Sequence, residues 1–208
     1  MRTNYLISRL CFSFILLVLP VNVLANGERM NGVLRQSPML ANFEICHGGG
    51  CTYVSPVQIT LAEWQELISP CEPVALDAEA ERVCIANIIG ALEQVVGNKT
   101  GTNTDRGGTF GNSAYSGQMD CNDEAINSTT YLKLIQKHGL IQYHDILDIK
   151  HRGFFLNRWP HTTAAILDRQ SQQRYAVDAW FYDNGSPAVV VPFELWKSGW
   201  KPEDSQAR

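Results

Sequence analysis

Apolar residues along the chain change their spacing near the middle. Between Thr60 and Val96 they recur every three to four positions, whereas beyond Gly139 they come in short runs divided by polar turns. The first pattern predicts helices and the second predicts strands. Thr60-Leu61-Ala62-Glu63 is a capping box and opens a short helix through about Ile68, ended by Pro70. Asp77 caps a second helix running to about Val96. Cys84, Ile88 and Leu92 form its stripe, broadened by Val83, Ile85, Ile89, Val95 and Val96, and Gly97-Asn98 reads as its stop. A third helix is expected from about Cys121 to Lys137, with Ala125, Ile126, Tyr131, Leu132, Leu134 and Ile135 inward and His138-Gly139 at its end. Strands are expected at about 143–150, 161–168, 174–182 and 188–192, then a helical turn at Phe193-Glu194-Leu195-Trp196-Lys197. The polar stretch from Asp168 to Gln173 folds the second strand onto the third as an antiparallel hairpin. Helices followed by an antiparallel sheet make an α+β protein.

Two stretches lack periodicity. Residues 26 to 58 read as irregular around a tight Cys46-His47-Gly48-Gly49-Gly50-Cys51 loop. A metal site there is disfavoured, because one His with two Cys lacks a second ligand pair; a small disulfide loop fits better. Residues 97 to 118 form a long Gly/Asn/Ser/Thr loop, with Phe110 and Tyr115 as its only aromatics. It reads as a substrate-contacting segment or a linker.

The amino terminus changes the picture of where the protein works. Arg2 and Arg9 precede and flank an apolar run, Leu10 to Leu19, and Val23-Leu24-Ala25 supplies small residues at the position of a cleavage site. Residues 1–25 are therefore expected to be a signal peptide, and 26–208 a single domain. The run is short for a membrane span, and no later segment is long and apolar enough, so no membrane association is expected after cleavage. Removing two Arg leaves 15 basic against 21 acidic residues, a net charge of −6. That balance, without a Lys/Arg run, disfavours nucleic acid as a partner. Export to a periplasmic or extracellular space implies an oxidising compartment. Five cysteines remain there, Cys46, Cys51, Cys71, Cys84 and Cys121, so one thiol is left over. The expected pairs are Cys46–Cys51 and Cys71–Cys84, with Cys121 free, although four cysteines permit three pairings.

Cys121 opens the third helix within Asp120-Cys121-Asn122-Asp123. A helix start favours thiolate, and Asp120 and Asp123 are placed to cap it. The Cys121 N–H is a candidate oxyanion donor, with Gln118, Asn112 or Tyr115 as the second. If the hairpin turns near Arg169-Gln170, His161 and Asp178 fall nearly opposite on one sheet face. Asp183 competes for the carboxylate role but lies in the turn Tyr182-Asp183-Asn184-Gly185. Cys121, His161 and Asp178 would then serve as nucleophile, base and orienting carboxylate. His138 reads as a helix-end residue, His144 and His151 as exposed strand-end residues, and His47 as part of the disulfide loop.

A helix-borne Cys, a strand His about 40 residues on and an Asp on the next strand resemble the transglutaminase-like superfamily, a rearranged relative of papain-type peptidases. The local text is closest to the bacterial transglutaminase-like cysteine proteinases. Asp120-Cys121-Asn122-Asp123, His161-Thr162-Thr163-Ala164-Ala165-Ile166-Leu167 and Ala176-Val177-Asp178-Ala179 stand where that family has its motifs, over about residues 80–195. The resemblance implies a papain-like core, with a catalytic helix packed on an antiparallel sheet plus N-terminal helices. It also implies a thiol peptidase acting on protein or peptide substrates without a cofactor. Asn122 replaces the usual Glu and Ala179 the usual Asn. Some exported members bind calcium through the acids beside the Cys; Asp120 and Asp123 are weak candidates here, with one carboxylate fewer. Alternatives are transglutaminase or deamidase activity on Gln side chains, a non-catalytic periplasmic binding or assembly protein, or a redox or metal protein built on the Cys46–Cys51 loop.

Overall fold

The computed structural model describes residues 21–109, 117–153 and 160–203. The expected signal segment up to residue 20, Phe110, Asn112 and Tyr115 lie outside the described residues.

Helix α1 (Val21–Arg35) precedes a hairpin of β1 (Phe43–His47) and β2 (Tyr53–Val57). Helix α2 (Leu61–Ile68) follows, with a short 3-10 turn at Ser69–Cys71, then α3 (Ala78–Thr100) and α4 (Cys121–Lys137). The second half is a four-stranded antiparallel meander of β3 (His144–Arg152), β4 (His161–Asp168), β5 (Arg174–Asp178) and β6 (Val189–Pro192), ended by α5 (Phe193–Lys197). The class is α+β, with antiparallel sheets.

The caps act as their chemistry dictates. Thr60 closes a full capping box with Glu63, and the Asp77 side chain accepts from Ala80 N. Helix α3 does not stop at Gly97-Asn98 as expected. It runs on to Thr100 and ends at Gly101, whose φ of 83° supplies the left-handed cap. Gly97 is instead a close-approach residue: a Cβ there would lie 2.8 Å from Asn103 N. The region expected to be irregular carries α1 and the β1–β2 hairpin. The third expected strand ends at Asp178 rather than at residue 182, because the chain turns out of the sheet at Trp180, whose carbonyl accepts from Gly108 N.

Helix α4 is the centre of the molecule. It touches β3, β4 and β5 on one side, and α1, β1 and α3 on the other. Both flanks are covered, so its buried residues include Asn127, Ser128, Thr129 and Thr130 as well as Ile126, Leu132 and Ile135. Ile85, Ile88, Ile89 and Leu92 of α3 join Tyr131 of α4 and Ala164, Ile166 and Val177 of the sheet in the main core. Burying these side chains is the dominant stabilising term. The sheet therefore presents the start of β4 and the end of β5 beside the first turn of α4.

Candidate active site

Both expected disulfides are present, Cys46–Cys51 and Cys71–Cys84, and Cys121 is a buried free thiol. Cys121 is the first residue of α4. Asp120 is the N-cap: its Oδ1 accepts from Asn122 N at 3.0 Å and from Asp123 N at 2.9 Å. Asp123 answers by accepting from Asp120 N at 3.3 Å, completing a capping box.

The Cys46–Cys51 loop has a role that the sequence did not disclose. Gly48, Gly49, Gly50 and Cys51 all have positive φ, which turns successive N–H groups to one side. Gly49 N and Cys51 N donate to the two oxygens of Asp123 at 2.7 and 2.6 Å, and Gly50 N donates to Asp120 Oδ2 at 3.0 Å. The loop is an anion nest, and its anions are the two carboxylates flanking Cys121. Burial, then Asp120, push the Asp123 carboxyl up to about 7, against the pull of these N–H groups. The oxygens proposed as weak calcium ligands are thus committed to backbone donors, and no group of His, Cys, Asp or Glu among the described residues is arranged to hold a metal.

The β4–β5 hairpin turns one residue later than expected. Asp168 N donates to Gln173 O, Ala164 faces Val177, and the register is displaced by two. Two is the period of a strand, so His161 and Asp178 stay on one face and meet diagonally rather than directly. His161 Nε2 and Asp178 Oδ2 lie 2.7 Å apart, both residues being 2 % exposed. Asp178 also accepts from Trp196 Nε1 at 2.7 Å and from Trp180 N at 3.3 Å. The other imidazole nitrogen, His161 Nδ1, is buried with no hydrogen-bond partner among the described residues. Trp180, Phe181 and Trp196 surround the ring with centroids 4.6, 5.4 and 5.7 Å away. Trp180 and Phe181 pack with Cys121 as well, which brings nucleophile candidate and imidazole to the same aromatic cluster.

The thiol does not behave as its helix position led us to expect. Its pKa is raised, to about 11, first by burial, then by Asp120 and to a lesser extent Asp178; the Thr162 backbone pulls the other way. Desolvation outweighs the partial charge of the helix end. Thr162, next to His161, also donates to Asn122 Oδ1 at 2.9 Å and lies 3.0 Å from His151 Nδ1, tying β3, β4 and the α4 terminus together.

Gln118 Nε2 donates to Thr104 O at 2.8 Å, and its Oε1 accepts from Arg106 N at 3.3 Å, so the side chain braces the turn before the site. Asp183 serves its turn, accepting from Gly107 N at 3.0 Å. His138 is exposed and caps α4, and His151 is exposed as expected. His144 is not: it is fully buried, with Nδ1 2.8 Å from Glu81 Oε1 and Nε2 3.3 Å from Arg82, and it fastens β3 to α3.

Sequence reasoning missed a buried group of carboxyls behind α4. Glu93, Asp105 and Glu124 come together there, and Glu124 shares side-chain hydrogen bonds with both Glu93 and Asp105. Burial, first among the causes, raises Glu93 to about 8 and Asp105 to about 7, and lifts Glu124 well above the usual range. A signal was present: Glu93 falls on the apolar stripe of Ile85, Ile89, Leu92 and Val96. Asp105 accepts from Met119 N at 2.6 Å, which ties the group to the residues just before Cys121.

Comparison with known proteins finds no match to a family model, to a curated protein or to a solved structure.

Proposed function

We propose that the chain is an exported, transglutaminase-like thiol enzyme with a papain-like core that cleaves amide bonds of proteins or peptides. One observation carries the reading: His161 is held by Asp178 through Nε2, while Nδ1 is left buried and unpartnered in the cluster that contains the unpaired Cys121. A base fixed at one nitrogen and vacant at the other is the arrangement a neighbouring nucleophile requires.

The raised thiol pKa directs the mechanism. Cys121 rests as a neutral thiol, not as a ready-made thiolate. As Sγ attacks the carbonyl carbon, its proton passes to His161 Nδ1, and the Asp178 carboxylate stabilises the imidazolium through Nε2–H. The tetrahedral oxyanion collapses, the C–N bond breaks, and the departing amine takes the proton from Nδ1. Water then attacks the thioester, giving one proton to Nδ1; the C–S bond breaks, the carboxylic acid product leaves, and Nδ1 returns the proton to Sγ. The N–H of Cys121 is the first oxyanion donor in this scheme. The two disulfides fit an oxidising compartment, and export is part of the proposal.

The test uses p-nitrophenyl acetate, a general acyl donor. The expected product is an acetyl thioester on Cys121, located by mass spectrometry, released by hydroxylamine and absent in His161→Ala. No adduct at Cys121, or one that forms equally well in His161→Ala, overturns the proposal. Repeating the reaction with a primary amine present separates the acceptors, since an acetylated amine would mark transfer in place of hydrolysis.

A further inference from the structure

Strand β3 does not pair evenly with β4. The register shifts between Leu147 and Lys150, beyond which Lys150 faces Thr163, His151 faces Thr162 and Arg152 faces His161. Continuing the register of the first half, in which His144 faces Asp168, would set His151 opposite His161. The extra residue exchanges the two faces of the strand beyond it. It sends His151 to the side of Thr162 and brings Arg152 to the side of His161 and Asp178.

Arg152 is used there in a specific way. Its guanidinium carbon lies 4.5 Å from the centroid of the Trp196 ring. Its Nη1 donates to the carbonyl of Trp196 and, at 2.9 Å, to that of Trp200. Helix α5 has five residues, too few to hold a side chain in place by its own hydrogen bonds. Arg152 supplies what the helix lacks, a donor for carbonyls at its carboxyl end and a cation over its indole. Phe193 also stacks on Trp196, with ring centroids 5.7 Å apart, and Trp196 is completely buried. The indole N–H so fixed reaches Asp178 Oδ2, the oxygen that also holds His161.

We propose that Trp196 is a positioning residue for Asp178, and that Arg152, brought to this face by the β3 bulge, clamps it in place. The indole N–H and His161 Nε2 share one carboxylate oxygen, so the indole helps to fix the rotation of the carboxyl group against which the imidazole is held. This orients the plane of His161 and the direction of its Nδ1. The inference rests on the acyl-transfer reading above and adds residues to it.

The test compares acylation of Cys121 by p-nitrophenyl acetate, as a function of ester concentration, in four proteins: the native chain, Trp196→Phe, Asp178→Ala and the double variant. Phe keeps a ring for Phe193 and Arg152 to pack on and removes the N–H donor together with the second ring of the indole. The expected result is a maximal acylation rate about tenfold lower in Trp196→Phe, with the half-saturating ester concentration unchanged. In the Asp178→Ala background the same substitution should cost nothing further, because Ala leaves no acceptor for the indole N–H and a residue acting through Asp178 has no effect once that carboxyl is gone. Arg152→Lys, which keeps the charge and loses the paired carbonyl contacts, should lower the rate in the same direction and also be silent when combined with Asp178→Ala. The proposal is overturned if Trp196→Phe acylates at the native rate, or if it costs the same factor with and without Asp178. Arg152→Lys decides by the same two criteria should Trp196→Phe not fold. Failure of the acyl-transfer reading looks different: the native protein itself would form no His161-dependent thioester.

Discussion

At the scale of single residues, the least expected feature is the state of Cys121. A cysteine at a helix start is ordinarily read as activated, yet here burial and the Asp120 charge hold the proton on. The sequence shows the helix start and the acids, but not the depth at which the sulfur lies. In His161→Ala, which removes the proposed base, the thiol should titrate near 11, so iodoacetamide should modify Cys121 only at strongly alkaline pH. A midpoint at or below the ordinary value of 9.0 would show that Asp120 and burial do not act on the sulfur as described. Asp123 is the second residue of consequence. It accepts from Gly49 N, Cys51 N and Asp120 N. Asp123→Ala would strand those donors in a buried place, and should lower stability by about 2–4 kcal/mol in denaturant unfolding. The motif around Cys121 and the presence of one unpaired thiol were legible from residue type and count; which of the three possible pairings forms is shown by the structure. The partner of Asp123 was not, since it is a set of backbone groups 72–74 positions away.

Elements with strong local signals were found in the sequence, and those with long-range support were not. Thr60, Asp77 and Asp120 each marked a helix start by the same side-chain-to-backbone bond seen in the structure. Strands β1 and β2 were missed because three glycines and a proline interrupt the pattern. Those glycines exist to make the nest, and β1 is held by Asn127 of α4, which accepts from Cys46 N at 2.7 Å. The hairpin estimate missed the register by two residues and still put His161 and Asp178 on one face, though diagonal rather than opposite, because the error equalled the strand period. Helix α3 gives a case in which two physical effects oppose each other. Gly90→Ala gains about 1 kcal/mol of helix propensity. The new Cβ would lie 2.5 Å from Ser186 O, a backbone atom of the turn that leads into β6. The steric term wins, since turn and helix are both packed, so Gly90→Ala should lower the melting temperature. A rise would show that the Gly185-Ser186 turn moves freely away from α3.

Across the whole molecule, the carboxyls behind α4 set how stability depends on pH. Glu93, Asp105 and Glu124 join α3, the segment after it and α4, and burial raises all three. In the folded chain they keep protons that the unfolded chain releases above the ordinary glutamate value of 4.5. The folded state binds more protons in that interval, so stability is full below it and falls as pH rises through about 7 to about 8. Melting temperature should decline across that window, and Glu124→Gln, which keeps the shape and cannot ionise, should flatten the decline. The Cys71–Cys84 bridge has a separate, purely mechanical part. It closes a loop with a sequence separation of 13 and ties the turn after α2 to α3. Replacing both residues by Ser should cost about 3 kcal/mol in denaturant unfolding while leaving the rate of Cys121 acylation unchanged.

The nest formed by the Cys46–Cys51 loop has a practical consequence at the bench. Thiol enzymes are customarily kept in a reducing buffer, so that the nucleophile does not oxidise. In this protein the loop that grips the cap of α4, the helix of the proposed nucleophile, is itself closed by a disulfide. Dithiothreitol at a concentration that opens that bridge would loosen the footing of the sulfur it is meant to preserve. An assay prepared in the customary way would then record an inert protein, and the fault would lie in the tube.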